Sequence, residues 1–472
     1  MKRQLIIILQ LISILTVFGE IKFPSIISDN MVLQREADVL LWGETLPNEN
    51  IVITTSWDKK EYQVKATSAG EWQVKVKTIS AGGPYEISVI TRTDNKVLKN
   101  VLLGEVWLCG GQSNMDMGFR GLANQPLYNA ADEILDSNYP QLRFFRVKRD
   151  FNTEPQKNCS GDWRISNTES AETFSAVGFL FGRQLHKQLS VPVGMIACTW
   201  GGSKVEAWMS KERLEEFMDT KLPWEVNIQN ANRTPYVLFN AMLKPIAGYN
   251  IKGCIFYQGE ANVTNPANYA KLFPAMVEEW RALWKNNFPF YYVQLAPFPY
   301  TNMGWNSNGT EVAKFREAQH KAMKNIPNSG MVTLTDAGDE YSIHAPDKVT
   351  VAKRLLYWAY ANAYNMKGFE FTGPAYKSVE LQKGQLSVYF DNAKYGLSSY
   401  GKELVGFEIA GDDKVFYPAK AILQRDPTKV VLTCDKVPSP VAVRYCFKNY
   451  SYGNLYNNYG IAAFPFRTDN WE

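Results

Sequence analysis

Histidine is scarce in this sequence, and its scarcity narrows the search for a catalytic base. The 472 residues include only three histidines, His186, His320 and His344. None of the six cysteines has C-x-x-C spacing, so the usual pattern of a zinc site is missing and we predict neither a metal nor another cofactor. The 51 Lys and Arg residues are scattered among 47 Asp and Glu residues without a basic block, which argues against a nucleic-acid partner.

Apolar runs long enough to cross a membrane are also lacking. The longest apolar stretch covers residues 5–18 and follows a short basic start at residues 1–4. It is shorter than the about 20 residues that a spanning helix needs, and it has the layout of a secretory signal peptide. We therefore expect residues 1–19 to be a signal peptide. The mature protein is then exported, to the periplasm or the medium, without stable insertion in a membrane.

The predicted secondary-structure pattern changes along the chain. Residues 20–100 and 366–472 carry short β patterns separated by Gly, Pro, Asn or Asp, which is typical of small β-sandwich domains. Residues 101–365 are different, because continuous apolar strand patterns alternate there with helical patterns. The strand patterns cover residues 101–109, 193–199, 251–257, 290–296 and 331–335, and the helical ones 175–189, 269–284, 311–324 and 349–364. This alternation predicts an α/β domain with a parallel sheet and helices on both faces.

Ligands of parallel α/β sheets bind beyond the carboxyl ends of the strands, so the residues that follow each strand are the candidates for function. The first strand leads into Gly110-Gly111-Gln112-Ser113-Asn114-Met115. Two glycines allow a sharp turn, and the amide groups at such a turn can face a developing oxyanion. We interpret Ser113 as a nucleophile, although a single Gly-x-Ser turn is more often an ordinary loop.

Later strands supply partners for such a serine. Gly202 follows the second strand and offers a backbone N–H, and Gln258 follows the third and offers an amide donor. His344 lies in a loop after the fifth strand, whereas the other two histidines fall inside helical patterns. By elimination, we predict that His344 is the general base.

The group that orients this histidine is less well defined by the sequence. An imidazole needs an acceptor on its far nitrogen, which is a carboxylate or a backbone carbonyl. Asp336 and Asp339 both precede His344, and the residue three positions before it is Tyr341. The two aspartates are equal candidates, and a backbone carbonyl is a third.

Taken together, these blocks resemble the sialate O-acetylesterase family of the SGNH (GDSL-like) hydrolases. The matching segments are residues 29–34, 104–115, 174–179, 201–208, 257–260, 316–319, 336–344 and 456–466. The resemblance implies an SGNH-type, flavodoxin-like catalytic domain and serine-dependent hydrolysis of sugar O-acetyl esters without a metal. It implies that Ser113 is the nucleophile, that His344 is the base, and that Ser113 N–H, Gly202 N–H and Gln258 form the oxyanion hole. Ser342 stands where many relatives have an aspartate, which leaves the acid of the triad open.

Six further polar residues lie in or beside these blocks and are expected either to contact sugar hydroxyls or to support loops: Gln112, Asn114, Glu206, Glu260, Asn262 and Arg316. The expected substrate is an O-acetylated sugar or glycan, with 9-O-acetylated sialic acid first. An acetylxylan or other polysaccharide acetylesterase is the nearest alternative, and a non-catalytic carbohydrate-binding protein is the alternative of another class.

Overall fold

The structure is a computed structural model that describes residues 20–217, 228–301, 309–382 and 384–471. The predicted signal peptide, residues 1–19, lies outside the described residues. Within the described ranges, no helix has both the length and the apolar character needed to cross a membrane.

The N-terminal region is built from β-strands, most of which are short. They are β1 (Val32–Gln34), β2 (Asp38–Glu44), β3 (Asn50–Thr55), β4 (Glu61–Lys65), β5 (Glu71–Lys77), β6 (Gly82–Ile90) and β7 (Asn95–Gly111). Strands β2 and β5 pair with each other, while β4, β3, β6 and β7 form an antiparallel series that β1 joins through a parallel pairing with β7. Alternate residues of β2 and β3 are buried, which is the pattern of strands with one face on a core.

Strand β7 connects this region to the central sheet without a break. Its first residues pair with β6, and its buried second half pairs with two parallel strands of the central domain. The predicted domain boundary between residues 100 and 101 therefore lies inside a single 17-residue strand.

The central sheet continues with β8 (Tyr139–Arg146), β9 (Trp163–Ser166), β10 (Val193–Thr199), β11 (Gly253–Tyr257), β12 (Phe290–Val293) and β13 (Ser329–Val332). Its order is β13-β12-β11-β7-β10-β8-β9, and every neighbouring pair is parallel except β8 with β9. The prediction of a parallel α/β sheet is confirmed at all five predicted strands. Strands β8 and β9, at one end of this order, were not predicted, because charged and polar residues interrupt their apolar pattern.

Eight α-helices lie within the described residues: α1 (Ser113–Asp116), α2 (Ala130–Leu135), α3 (Thr168–Thr173), α4 (Ala176–Leu189), α5 (Lys211–Glu215), α6 (Pro266–Trp284), α7 (Glu311–Ala322) and α8 (Lys348–Trp358). Helices α4 and α8 pack together on one face of the sheet, where they bury Trp107 and Ile255. Helices α6 and α7 cover the other face, over Leu108 and Phe256. The sheet is thus covered on both sides, which explains why its strands have continuous apolar sequences.

The C-terminal region returns to β structure, as predicted. Its strands are β14 (Ala375–Gln382), β15 (Gln385–Asp391), β16 (Leu397–Ser398), β17 (Phe407–Ala410), β18 (Phe416–Pro418), β19 (Lys420–Leu423), β20 (Lys429–Thr433), β21 (Ala442–Tyr445), β22 (Tyr456–Asn457) and β23 (Phe466–Arg467). Two four-stranded sheets, β14-β15-β20-β19 and β18-β17-β21-β23, share one apolar core. All six cysteines of the chain are free thiols, including Cys434 and Cys446 of this region.

Candidate active site

The nucleophile candidate lies at a turn that only glycine can make. Strand β7 ends at Gly111, and α1 begins at Ser113. Gly111 has φ +132°, and a Cβ there would lie 2.1 Å from the carbonyl oxygen of Tyr257. The next residue, Gln112, donates its N–H to that same carbonyl over 3.0 Å. The turn is therefore held tightly against the end of β11, and Ser113 lies at the carboxyl edge of the sheet.

The side chains on either side of Ser113 support this turn. Gln112 is buried, and its Oε1 accepts hydrogen bonds from the backbone N–H groups of Gly259 (3.2 Å) and Ala261 (3.3 Å). Asn114 is buried as well, and its Nδ2 donates to Glu260 Oε1 over 2.6 Å. Both side chains thus make their hydrogen bonds to other groups of the protein. Of the two roles expected for Gln112 and Asn114, this geometry favours loop support.

Beside the serine lies the backbone of the Gly201–Gly202 turn. A Cβ on Gly201 would be 3.4 Å from the Cβ of Ser113, which places this turn directly next to the nucleophile. Asn232 Nδ2 donates to the carbonyl of Gly201 over 2.8 Å. Because a trans peptide directs its C=O and N–H to opposite sides, this bond turns the N–H of Gly202 away from Asn232. Within the described ranges, the N–H groups of Ser113 and Gly202 have no hydrogen-bond acceptor.

Gln258 was predicted to donate to the oxyanion, but its amide hydrogens are engaged elsewhere. Nε2 donates to the carbonyl of Ser203 (3.0 Å) and to Asn262 Oδ1 (2.8 Å). Asn262 also accepts from the N–H of Val205 (2.9 Å). Gln258 therefore holds the loop that contains Gly202. The prediction identified its place at the sheet edge and not its rotamer.

Glu206 and Arg316, the two remaining support candidates, also contact protein groups. Glu206 Oε2 accepts from Asn262 Nδ2 over 2.8 Å. Arg316 is buried and donates through Nη2 to the carbonyl of Cys446 (3.2 Å) and to that of Lys448. Arg316 thereby joins α7 to the C-terminal β region.

The loop after β13 brings His344 to this edge. Asn114 Nδ2 donates to the carbonyl of Ile343 over 3.1 Å, which ties the base candidate to the residue that follows Ser113. The other two histidines lie away from this edge. His186 in α4 contacts the carbonyl of Val191 through Nδ1 (2.7 Å), and the ring of His320 in α7 packs on Phe464.

The partner of His344 is an amide that was not predicted. His344 Nδ1 lies 2.5 Å from Gln125 Oε1, and Ser342 Oγ lies 3.1 Å from the same oxygen. Neither predicted aspartate forms a hydrogen bond with His344 in the described part of the chain. Asp336 forms two bonds of 2.7 Å with Arg354, and Asp339 Oδ1 accepts from the N–H groups of Tyr341 and Ser342. Asp336 thus anchors α8, and Asp339 shapes the loop.

This arrangement lies inside the region that a known family matches. The family model described as carbohydrate esterase, sialic acid-specific acetylesterase, matches residues 103–363. The chain belongs to this family.

Relatives of this esterase extend over most of its length. It is 31% identical to human sialate O-acetylesterase over 411 residues, which is 78% of this chain and 76% of the human protein. The mouse sialate O-acetylesterase is 30% identical over 435 residues, 78% of this chain and 79% of the mouse protein. Among solved structures, a carbohydrate acetylesterase from Xanthomonas citri superimposes with a TM-score of 0.86 at 33% identity, covering 96% of this chain and all (100%) of that one. The family resemblance drawn from the sequence is confirmed.

The electrostatics of the esterase site favour a neutral imidazole. Burial and, to a smaller extent, the nearby positive charge of Lys348 together lower the pKa of His344 to about 4. Gln125 accepts a hydrogen bond but carries no negative charge that would oppose this shift. His344 is therefore unprotonated, and ready to accept a proton, from weakly acidic pH upward.

Proposed function

We propose that this esterase removes O-acetyl groups from sugars, and from O-acetylated sialic acid in particular, through a covalent acetyl-serine intermediate. The observation that carries the proposal is that Ser113, the N–H groups of Ser113 and Gly202 (which have no acceptor among the described residues) and the loop of His344 lie together at one sheet edge. Asn114 bonds the base's loop to the nucleophile's turn. Such an assembly fits acyl transfer, in which an alkoxide attacks a carbonyl and an oxyanion develops.

In the proposed reaction, Ser113 Oγ attacks the acetyl carbon while His344 Nε2 takes the hydroxyl proton. Gln125 Oε1 accepts from Nδ1–H, so Nε2 is the ring nitrogen that is left unprotonated. The two backbone N–H groups hold the oxyanion. The sugar oxygen then leaves with the proton from His344. A water molecule then attacks the acetyl-serine while His344 takes one of its protons. His344 returns this proton to Ser113 Oγ as the bond between Oγ and the acetyl carbon breaks, which releases acetate and free Ser113.

We include the SGNH assignment and export in this proposal. The strands β10-β7-β11-β12-β13 follow the flavodoxin-like order 2-1-3-4-5, with β8 and β9 added at one edge, and this order supports an SGNH-type domain. Export rests on the N-terminal sequence pattern. The N-terminal sequence of the mature protein would check it, with residue 20 expected near the start.

The rim of the site favours an acidic sugar over a neutral polysaccharide. Asp116 lies in the same short helix as Ser113 and binds Arg146 (2.6 Å) and Arg149 (2.5 Å). Two guanidinium groups thus face one carboxylate, and this part of the rim carries an excess positive charge. The Arg149 side chain is 54% exposed and lies over the ring of Trp200, the residue before the Gly201–Gly202 turn. A guanidinium beside an aromatic face is well suited to a sugar that bears a carboxylate.

The experiment that tests the function compares acetate release from 9-O-acetylated sialic acid and from acetylated xylan, in the wild type and in Arg149→Gln. We expect the wild type to prefer the sialic acid. Because a hydrogen bond to a charged group contributes about 1.5–3 kcal/mol, Arg149→Gln should lower kcat/KM for the sialic acid about 10- to 100-fold. Cleavage of 4-nitrophenyl acetate, which has no carboxylate, should change little.

Arg164→Gln is the matched control, because Arg164 lies on the edge strand β9, has a similarly exposed side chain (55%) and forms an ion pair with Asp162, the residue just before that strand. If the wild type instead releases acetate faster from acetylated xylan, the substrate is a neutral polysaccharide and the proposal of sialic acid is wrong. Binding of glycans without release of acetate from any ester would favour the non-catalytic alternative.

A second prediction concerns the uncharged partner of the base. Gln125→Glu places a carboxylate against His344 Nδ1, and a nearby opposite charge raises the pKa of a histidine by about 1–3 units. The acid limb of kcat/KM, expected near pH 4 in the wild type, should therefore move to higher pH. Gln125→Ala removes the acceptor and should lower kcat at least about tenfold, as part of the 10²–10⁴ that a positioned base contributes.

Gln184→Glu provides the control for this measurement, since it adds the same charge on the exposed side of α4. If the acid limb of Gln125→Glu coincides with that of Gln184→Glu, then Gln125 does not contact the base in the working enzyme.

A further inference from the structure

A lysine is buried directly behind the catalytic edge, although the reaction described above makes no use of it. Lys348 is the first residue of α8 and is only 2% exposed. Its Nζ donates to Asn114 Oδ1 over 2.6 Å and lies 5.6 Å from the ring centroid of Tyr257. Burial of an ammonium group is costly unless opposite charge and hydrogen bonds compensate for it. The chain therefore has to place such compensation nearby.

The compensating charge is Glu260, on the opposite side of the same asparagine. Glu260 is buried, and its Oε1 accepts from Asn114 Nδ2 over 2.6 Å. Its other oxygen, Oε2, has no hydrogen-bond partner within the described residues. The Asn114 amide thus lies between a cation at its oxygen and an anion at its nitrogen. Both charges strengthen the hydrogen bonds that this amide makes.

Asn114 is also the side chain that joins the three segments of the site. It follows Ser113 in the nucleophile turn, it contacts Glu260 in the loop after β11, and it donates to the carbonyl of Ile343 beside the base. Lys348 fixes its orientation, because the ammonium accepts no hydrogen bond and must face Oδ1 and not Nδ2. The amide hydrogens are then directed to Glu260 and to the carbonyl of Ile343.

We propose that Lys348 is a positioning residue, which acts through Asn114 and against Glu260 to hold the Ser113 turn and the His344 loop at the distance that proton transfer needs. We name these three residues the Lys348–Asn114–Glu260 bridge. The proposal rests on the proposed function, because it assigns the bridge a role in the reaction of Ser113 and His344. It goes beyond that function because it proposes that two buried charged side chains outside the reacting groups, joined through Asn114, contribute to the rate.

The charges around the bridge connect it to pH. Burial lowers the pKa of Lys348 to about 7, while the negative charges of Glu260 and Asp347 oppose this shift. Burial raises the pKa of Glu260, against the effects of its own backbone, of Asn114 and of Lys348. His344 is affected in turn, since Lys348 helps to lower its pKa. Removal of the lysine charge should therefore let the pKa of His344 rise.

The test measures cleavage of 4-nitrophenyl acetate between pH 4 and 9, together with thermal stability, in four variants. They are Lys348→Met, Glu260→Gln, the double variant with both changes, and Lys353→Met as the matched control. Lys353 lies on the exposed side of the same helix α8, so its replacement should leave the pH profile unchanged. We expect Lys348→Met to lower kcat about 10- to 100-fold with little change in KM, because small displacements of reacting groups can cost up to about 10² in rate.

The double variant separates positioning from stability. A single change leaves one buried charge without its counterpart, so Lys348→Met should lose stability, and the double variant, which buries no charge, should regain it. We expect kcat to stay low in the double variant despite the recovered melting temperature. We also expect the acid limb of kcat/KM to move to higher pH in both variants that lack the lysine.

Two outcomes overturn the proposal. The first is a folded Lys348→Met or double variant whose kcat lies within about twofold of the wild type, and the second is a kcat that recovers together with the melting temperature. Failure of the proposed function would look different. In that case wild-type protein would neither cleave the ester nor be labelled at Ser113 by a fluorophosphonate, which reports on serine nucleophilicity without any sugar.

Discussion

Replacement of Ser113 by alanine is expected to lower kcat by about 10⁴- to 10⁶-fold, the loss that follows when a serine hydrolase keeps its oxyanion hole but loses its nucleophile. The residual rate would come from direct attack of water on the ester, with the backbone N–H groups of residue 113 and Gly202 still stabilising the oxyanion. The change removes only a hydroxyl from a half-buried residue, and the turn is held by Gly111 and Gln112, so the fold should survive. Acetate release and a melting curve of the same preparation check both parts.

Ser160→Ala is the matched control for this variant, because Ser160 is an exposed serine whose backbone carbonyl, and not its hydroxyl, bonds Lys148. The control should keep full activity and the wild-type reaction with a fluorophosphonate. Ser113→Ala should take up no label. A Ser113→Ala enzyme that retains more than a few per cent of the wild-type rate would contradict the acetyl-serine pathway.

Much of the central domain could be predicted from the sequence because its strands are buried on both faces. An apolar run such as that of β10, which has no exposed residue, leaves few alternatives to a core strand. The predicted boundary inside β7 shows the limit of the same reasoning. The pattern of apolar residues changes near residue 100, because the strand passes there from a half-exposed sheet into a buried one. The backbone nevertheless continues through this point as one strand.

The candidate catalytic residues divide along similar lines. Ser113, Gly202 and His344 were proposed from the sequence because each lies in the segment that follows a predicted strand, and the topology of a parallel sheet brings such segments together. Gln125 was missed because it is 219 positions from His344 in sequence and lies in a loop without periodicity or motif. Asn232 and Arg149 were missed for the same reason. Arg149 belongs to a loop and Asn232 to a short 3₁₀ helix (Ala231–Arg233), and tertiary packing sets the path of both.

The sequence did not predict the directions in which the side chains of the site point. Gln258 is at the expected edge, yet its amide faces Ser203 and Asn262. Asp336 also follows its strand as expected, but the guanidinium of Arg354, one turn and a half into α8, takes both of its oxygens. A fully charged partner competes for a carboxylate more strongly than a neutral imidazole does.

Replacement of His344 by alanine is expected to reduce kcat nearly as much as the loss of Ser113, because the two groups act as a unit in the attack step. The variant keeps the serine hydroxyl but removes the acceptor of its proton. Imidazole added to the buffer should restore part of the rate by entering the space that the side chain leaves. His186→Ala is the control, since His186 lies in α4, where its Nδ1 contacts the carbonyl of Val191 and its ring packs against Tyr139.

The pH dependence of wild-type activity tests this assignment independently. Because a base must be unprotonated to act, activity should be lost toward low pH. The reaction needs neutral His344, so kcat/KM should fall about tenfold for each pH unit below the pKa of the imidazole and stay level from there up to the pKa of Lys348, which is about 7. Burial and Lys348 lower that pKa to about 4, so the enzyme should keep its activity at pH 5, where an unperturbed histidine would be mostly protonated. A profile that already falls between pH 7 and 6 would mean that a counter-charge reaches the imidazole in solution. In that case Asp336 or Asp339, and not Gln125, would be the partner of the imidazole in the working enzyme.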